Sequence, residues 1–270
     1  MLELTNTEFT KLITFIKSNY GINLSQKRTL VNGRLSTTLT ETNFKNFSEY
    51  FDFILNDKSG NLVRDLINKL TTNHTFFLRE TSHFEYYKNT ILPIFYNNIP
   101  NNDLRVWSAG CSTGEEPYTL SMINNDFFAN DKYKWDTKIL ATDISTRVLN
   151  IAKSATYAKD QINNLYPNWK INYFKKLDSN NYQLVDKIKN DVIIRHFNLN
   201  INTFPFKKKF HVIFCRNVMI YFDQPTKSIL INKFYDFLEH GGYLFIGHSE
   251  SIKHDETNFR YIMPATYIKD

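Results

Sequence analysis

A doubly wound α/β sheet preceded by a small all-α domain is the fold class that the sequence predicts, and three observations predict it. The run Val106-Trp107-Ser108-Ala109-Gly110-Cys111-Ser112-Thr113-Gly114-Glu115-Glu116-Pro117-Tyr118 reads as a buried strand, a turn of small residues and a helix start. From residue 104 onward, strand-like and helix-like patterns alternate. Roughly the first 70 residues carry helical spacing and no strand pattern.

Taken in order, residues 7–20 place Phe9, Leu12, Ile13, Ile16 and Tyr20 on one helical face, with Gly21 as the stop. A second helix is expected from Ser25 with Leu30, Val31, Leu35 and Leu39. A third runs from about Asn43 with Phe44, Phe47, Phe51 and Ile54, ending near Gly60. A fourth starts at Asn61 and uses Leu62, Leu66, Ile67 and Leu70. These make a helical domain over 1–72. Residues 71–80 are polar and aromatic with poor periodicity, as in a linker that passes close to something; with a helix over 82–97 they give a linker and connecting helix over 73–98. The sheet domain occupies 99–270. Its strands are expected at 104–109, 138–142, 210–215 and 243–246, its helices at 115–128, 146–154 and 226–240. Residues 259–268 close the sheet as one or two antiparallel edge strands. Residues 172–199, with Tyr182-Gln183-Leu184-Val185 and Val192-Ile193-Ile194-Arg195-His196-Phe197, read as short strands of an inserted antiparallel β subdomain.

The composition is that of a folded chain: 42% of the 270 residues are apolar, with 23 Phe and 16 Tyr. No run of about 18 apolar residues is present, so no transmembrane helix is expected. The stretch Met1-Leu2-Glu3-Leu4-Thr5 lacks a basic region followed by an apolar one, so no signal peptide is expected. Cys111 and Cys215 sit in unrelated contexts, which points to a reduced cytoplasmic protein without a structural metal. The net charge of +6 is compatible with nucleic acid, an acidic membrane or an acidic protein partner. The basic residues are dispersed, and their one run of three, Lys207-Lys208-Lys209, reads as a solvated loop.

Parallel α/β sheets bind ligands at the carboxyl ends of their strands. After the first strand come Gly110, Ser112, Gly114 and Glu116; after the second, Asp143; after the fourth, Arg216-Asn217-Val218-Met219-Ile220-Tyr221-Phe222-Asp223. The first loop has no Lys and no Walker spacing, and its acidic pair opposes phosphate. Gly110 and Gly114 are four apart and do not make the dinucleotide fingerprint, so a nicotinamide cofactor is disfavoured. Acid at the helix entry suits hydroxyls, amines or positive charge, all of which S-adenosylmethionine offers. A plain capped turn uses the same residue types. An acid at the tip of the second strand, Asp143, suits a ribose diol.

Six segments, in order, carry a family resemblance. They are Leu70-Thr71-Thr72-Asn73 with Phe76-Phe77-Leu78-Arg79-Glu80; Trp107-Ser108 with Ser112-Thr113-Gly114-Glu115-Glu116-Pro117-Tyr118; Ala141-Thr142-Asp143-Ile144; Asn198-Leu199; Ile213 through Asp223; and Gly247-His248-Ser249-Glu250-Ser251. Over essentially its whole length the chain resembles the CheR family, the chemotaxis-receptor glutamate O-methyltransferases. The resemblance implies a Rossmann-like methyltransferase sheet and transfer of a methyl group from S-adenosyl-L-methionine to receptor glutamates, leaving S-adenosyl-L-homocysteine. It implies cofactor contacts from Asn73, Thr75, Arg79, Gly110, Glu116 and Asp143, adenine contacts from Asn198 and Leu199, and contacts to the methionine end from Asn217 and Val218. Arg79 and Tyr221 are the candidate catalytic residues; Arg79 has two open roles, orienting the substrate carboxylate or gripping that of the cofactor. Lys27, Arg28 and Arg34 are the candidate substrate-binding residues toward the helical cytoplasmic domain of methyl-accepting receptors. A monomer is expected, with no nucleic-acid partner, no membrane insertion and no metal. His74, His83 and His248 are expected in capping or surface roles, because a carboxylate nucleophile needs no strong base.

Two departures matter. Family members that bind a receptor's C-terminal pentapeptide carry glycines in the inserted hairpin, whereas no glycine lies between Gly114 and Gly241 here, so independence from such a tether is expected. Ser36-Thr37-Thr38 follows Arg34 where the family is more basic, which weakens the expectation for that face. The alternatives are a non-catalytic CheR-like module that binds the cofactor as a scaffold, and a nucleic-acid amino-methyltransferase, whose adjacent prolines after the Asn are missing at Asn217-Val218-Met219-Ile220-Tyr221.

Overall fold

The computed structural model describes residues 3–42 and 44–270. Asn43, where the sequence reading starts the third helix, lies outside the described residues, as do Met1 and Leu2 of the stretch read for a signal peptide.

The N-terminal domain is built from four amphipathic helices. Helix α1 (Asn6–Tyr20) opens on a capping box in which Thr5 Oγ1 accepts from the Glu8 N–H and the Glu8 carboxylate accepts from the Thr5 N–H. It stops at Gly21, whose N–H returns to the Lys17 carbonyl. Helix α2 (Arg28–Thr42) begins later than the expected Ser25, because residues 25–26 form a turn closed by the Asn23 side chain on the Ser25 N–H. Helix α3 (Phe47–Leu55) is capped by Asn46, and α4 (Asn61–Leu70) completes the set. Their apolar stripes meet in one core in which Ile16, Val31, Leu35, Leu39, Ile54 and Leu66 are fully buried.

The connecting segment is part of the sheet domain's core. It comprises α5 (Thr81–Tyr86), a π-helical turn (Tyr87–Ile91) and α6 (Leu92–Asn98). The sequence predicts one uninterrupted helix here. Pro93 sits in the first turn of α6 with no N–H to donate, and the ladder widens just before it. Phe84, Tyr87, Ile91, Leu92 and Phe95 are buried against the sheet.

The sheet domain then runs β1 (Val106–Ala109), α7 (Glu115–Phe127), β2 (Ile139–Asp143), α8 (Thr146–Ser154), β3 (Thr156–Ala158), α9 (Pro167–Tyr173), β4 (Phe174–Lys176), β5 (Asn181–Leu184), α10 (Asp186–Lys189) and β6 (Val192–His196). It continues with β7 (Phe210–Cys215), α11 (Gln224–Phe237), β8 (Leu238–Ile246), β9 (Arg260–Met263) and β10 (Thr266–Ile268). The main sheet has the order β6-β2-β1-β7-β8-β10-β9, parallel from β6 to β8, with β10 and β9 added antiparallel. The small sheet, β3-β5-β4, is antiparallel.

One expectation is corrected. Residues 192–197 were assigned to the insertion, but β6 pairs in parallel with β2 over five positions, from Ile139↔Val192 to Asp143↔His196. Val192 and Ile194 are buried while Ile193 is exposed, the one-sided alternation shared by a sheet-edge strand and an inserted hairpin. The pattern alone does not separate the two. The inserted strands lie instead between 156 and 184, beginning before the expected 172.

After β1 the chain builds outward through β2 and β6, then returns to place β7 on the other side of β1. The loops leaving β1 and β7 therefore diverge and open a crevice at their carboxyl ends. Trp107 on β1 anchors one face beneath it: its ring is packed by Phe197, Phe204, Phe206, Phe210 and Phe234, and its Nε1 donates to Thr142 Oγ1 at 2.9 Å.

On β7, His211 is buried and its Nδ1 accepts the Arg105 N–H at 3.0 Å. Burial, then the Arg105 charge, hold its pKa down at about 4. The unfolded chain takes up that proton near pH 6.5, so between about pH 6.5 and pH 4 it binds a proton that the folded state refuses. Stability is expected to fall with pH through that window by up to about 3 kcal/mol from this group. Urea unfolding near neutrality and near pH 4.5 checks this: His211→Gln is expected to show a smaller stability difference between the two than the parent chain.

Candidate functional site

The helical domain caps the crevice through polar contacts with the sheet domain. The Asn23 N–H donates to the Tyr221 carbonyl at 2.7 Å, with Ile22 bridged antiparallel to Phe222. Lys17 Nζ pairs with Asp223 at 2.6 Å, and Asn198 and Asn200 donate to the carbonyls of Asn19 and Ser18 at 2.8 and 3.1 Å. On the far side, Asn68 accepts from Ser145 Oγ at 2.8 Å and donates to Thr146 Oγ1 at 3.1 Å. Between the domains lies a cleft of about 410 Å³.

The predicted residues converge on this cleft. Asn73, Thr75 and Arg79 line it from the linker, and Gly110 and Glu116 from the β1 loop and α7. Asp143 lines it from the tip of β2, Asn198 and Leu199 from the segment after β6, and Asn217, Val218 and Tyr221 from the loop after β7. Of the three basic candidates only Lys27 lines it. Arg28 turns toward the start of α1, donating to Asn6 Oδ1 at 2.7 Å and to the Leu4 carbonyl. Arg34 is tied to the Thr71 carbonyl and Thr72 Oγ1 at 3.1 and 2.9 Å, so it braces the linker.

Local sequence explains the wall. Gly110 has φ +96°, and a Cβ there would come within 2.3 Å of Val218 Cγ2; only a residue without a side chain admits Val218 at that point before the two loops part. The acidic pair divides. Glu115 is buried and accepts from Thr113 Oγ1 at 2.6 Å, whereas Glu116 faces the cleft. Asp143 accepts the N–H groups of Ser112 and Ser145, both at 2.9 Å; burial nonetheless lifts its carboxyl above the ordinary value.

Three residues that sequence reasoning quoted but gave no role hold the site together. Arg216, 3% exposed in its side chain, pairs with Glu80 at 3.1 Å and Glu116 at 3.0 Å, and also donates to the Arg79 carbonyl. Burial raises the Glu80 pKa, but the Arg216 charge and hydrogen bonds from the His248 N–H and Asn217 outweigh it and leave the carboxyl below its ordinary value. Glu250 accepts the backbone N–H groups of Gly247, Asn217 and Ile220 at 2.6, 3.0 and 3.0 Å. It thereby fixes Asn217, which has φ +58°. A signal was present: Arg216 follows the fully apolar run Val212-Ile213-Phe214-Cys215, where a charge demands a buried partner.

His83 is a correction. It was expected as a cap or surface residue, but it is fully buried between Phe245 and the ring of His248.

The donor set fits S-adenosylmethionine. Glu116 and Asp143 offer acceptors at a bare-backbone wall, Leu199 and Val218 offer apolar surface, and the volume is that of a small-ligand site. Fold and site together define an S-adenosylmethionine-dependent methyltransferase. The profile described as "CheR methyltransferase, all-alpha domain" matches residues 7–71, and that described as "CheR methyltransferase, SAM binding domain" matches residues 73–268. The chain is 45% identical to the chemotaxis protein methyltransferase of Borreliella burgdorferi, over 100% of this chain and 96% of that one. It is 34% identical to the chemotaxis protein methyltransferase of Escherichia coli K12, over 96% and 89% respectively. The chain belongs to the CheR methyltransferase family, and its activity is methylation in chemotaxis. Among the described residues no helix is long and apolar enough to cross a membrane.

Gly110→Ala is expected to lose about 1–2 kcal/mol of stability to left-handed backbone strain. It is also expected to weaken S-adenosylhomocysteine binding roughly tenfold or more, because Val218 is driven from its seat. Denaturation and calorimetric titration on the same variant separate the two effects.

Proposed function

We propose that this methyltransferase esterifies glutamate side chains on the helical cytoplasmic domain of methyl-accepting chemotaxis receptors, as a cytoplasmic monomer and without a C-terminal receptor pentapeptide as tether. The observation that carries the reading is that Arg79 and Tyr221 line one acid-walled cleft between the domains. Full-length similarity to chemotaxis protein methyltransferases supports a receptor as the substrate.

A glutamate carboxylate is ionised at neutral pH and serves as its own nucleophile, so the chain need not remove a proton. S-adenosylmethionine supplies a methyl group already activated by the sulfonium. The protein's work is binding, alignment and exclusion of water. Glu116 and Asp143 accept from hydroxyl and amine groups of the cofactor. Asn198 and Leu199 flank the adenine, and Asn217 with Val218 holds the methionine end. Asn73 and Thr75 close the linker side. Arg79 orients the substrate carboxylate; its Nη1 donates to the His74 carbonyl at 2.9 Å, which sets the plane of the guanidinium. Tyr221, whose hydroxyl lies 3.3 Å from the Thr72 carbonyl, walls the path of the methyl group. Lys27, which lines the cleft, favours an acidic receptor helix, whereas Arg28 and Arg34 are engaged within their own domain.

Methyl-labelled cofactor and an isolated receptor cytoplasmic domain test the reaction. Label on the receptor that base releases as methanol is expected; label on nucleic acid, or none, overturns it. Arg79→Lys is expected to lower kcat about 10²–10³-fold with little change in S-adenosylhomocysteine affinity. A parallel loss of affinity would assign Arg79 to the cofactor instead. The hairpin supports the absence of a tether: its turn is glycine-free and closed by Asp178, which accepts the N–H groups of Asn180 and Asn181 at 2.8 and 2.9 Å. Titration with a receptor C-terminal pentapeptide is expected to show no binding, and micromolar affinity would sink that part of the reading.

A further inference from the structure

We propose that Glu80, His83 and His248 form a binding site for a divalent transition-metal ion of the zinc class. Their ligand atoms all lie within 4.8 Å of one another, and the set joins the linker to the loop that follows β8. His83 is fully buried, and its Nδ1 has no hydrogen-bond partner. Its Nε2 lies 3.4 Å from the Pro264 carbonyl, an acceptor only, which assigns the ring proton to Nε2 and leaves a lone pair on Nδ1. That lone pair faces Glu80 Oε2 at 3.6 Å. That oxygen also accepts from Arg216 Nε and Nη2 at 3.2 and 3.1 Å, so the His83 lone pair is the group left without a partner.

The His83 and His248 rings stand nearly perpendicular with centroids 4.7 Å apart, and the His248 N–H donates to Glu80 Oε1 at 3.2 Å, which keeps that residue beside the pair. Two imidazoles and one carboxylate suit zinc, nickel or copper better than magnesium or calcium, and three protein donors leave a fourth position for water. The Nε2–H bond to Pro264 is the kind of outer contact that fixes a metal-bound histidine. Arg216, which shares Glu80 Oε2, lowers the affinity but leaves the imidazoles free.

The experiment is Zn²⁺ titration of the full chain in competition with a chromophoric chelator. One ion per chain is expected. His248→Ala, at an exposed position outside the packed core, is expected to weaken binding roughly tenfold or more, while His240→Ala, at another exposed histidine, leaves it unchanged. His83→Asn adds a second arm if it folds. Absence of stoichiometric Zn²⁺ binding, or equal affinity in the parent chain and His248→Ala, overturns the proposal.

Discussion

The buried guanidinium of Arg216 is the interaction on which the site depends. It joins three pieces of chain that the fold otherwise brings near without fastening: the linker through Glu80 and the Arg79 carbonyl, α7 through Glu116, and the loop after β7 to which it belongs. A buried ion network is not a strong source of net stability, since desolvation cancels much of the attraction. Its effect is geometric. Removing Arg216 would leave the Glu80 and Glu116 carboxylates without the buried cation that pairs with both, which costs far more than the network contributes.

Backbone conformation works to the same end. Ser112 and Asn217 both have positive φ, and both stand where a loop leaves a parallel strand. Each is held by a buried carboxylate, Ser112 by Asp143 and Asn217 by Glu250. Gly247 fits the second arrangement, because a Cβ there would come within 2.4 Å of the Asn217 amide. Two acids thus anchor the two loops that the switch between β1 and β7 pulls apart, and the strain stored in each turn is held by charge–amide bonds.

Most of the architecture was legible in the residues. The helical stripes of the first domain, the strand-to-helix run at Val106–Ala109 and α7, and the acid at the tip of β2 follow from periodicity and from where parallel sheets bind ligands. β6 was not, because a half-buried edge strand and a strand of an inserted hairpin alternate identically, and only pairing with β2 distinguishes them. Nor was the splitting of Glu115 from Glu116, which depends on the helical phase set by a left-handed Gly114. Arg28 and Arg34 illustrate a different limit. Charge along a helix reads as an outward face, yet both side chains return to carbonyls of their own domain. The apolar run before Arg216 calls for a buried partner, but that the partner is Glu80, 136 residues away in sequence, lies beyond any local pattern.

The cleft is closed by two units with separate cores, and the surface between them combines side-chain amides, an ion pair and a short bridge with Ile144, Tyr221 and Phe222 packed against the helical core. The fraction of molecules with the helical domain seated then multiplies the apparent affinity for anything bound beneath it. Substitutions in α1, α3 or α4 that never touch a ligand will therefore register as weaker binding at unchanged intrinsic chemistry. The helical domain acts as an equilibrium term in every measured affinity.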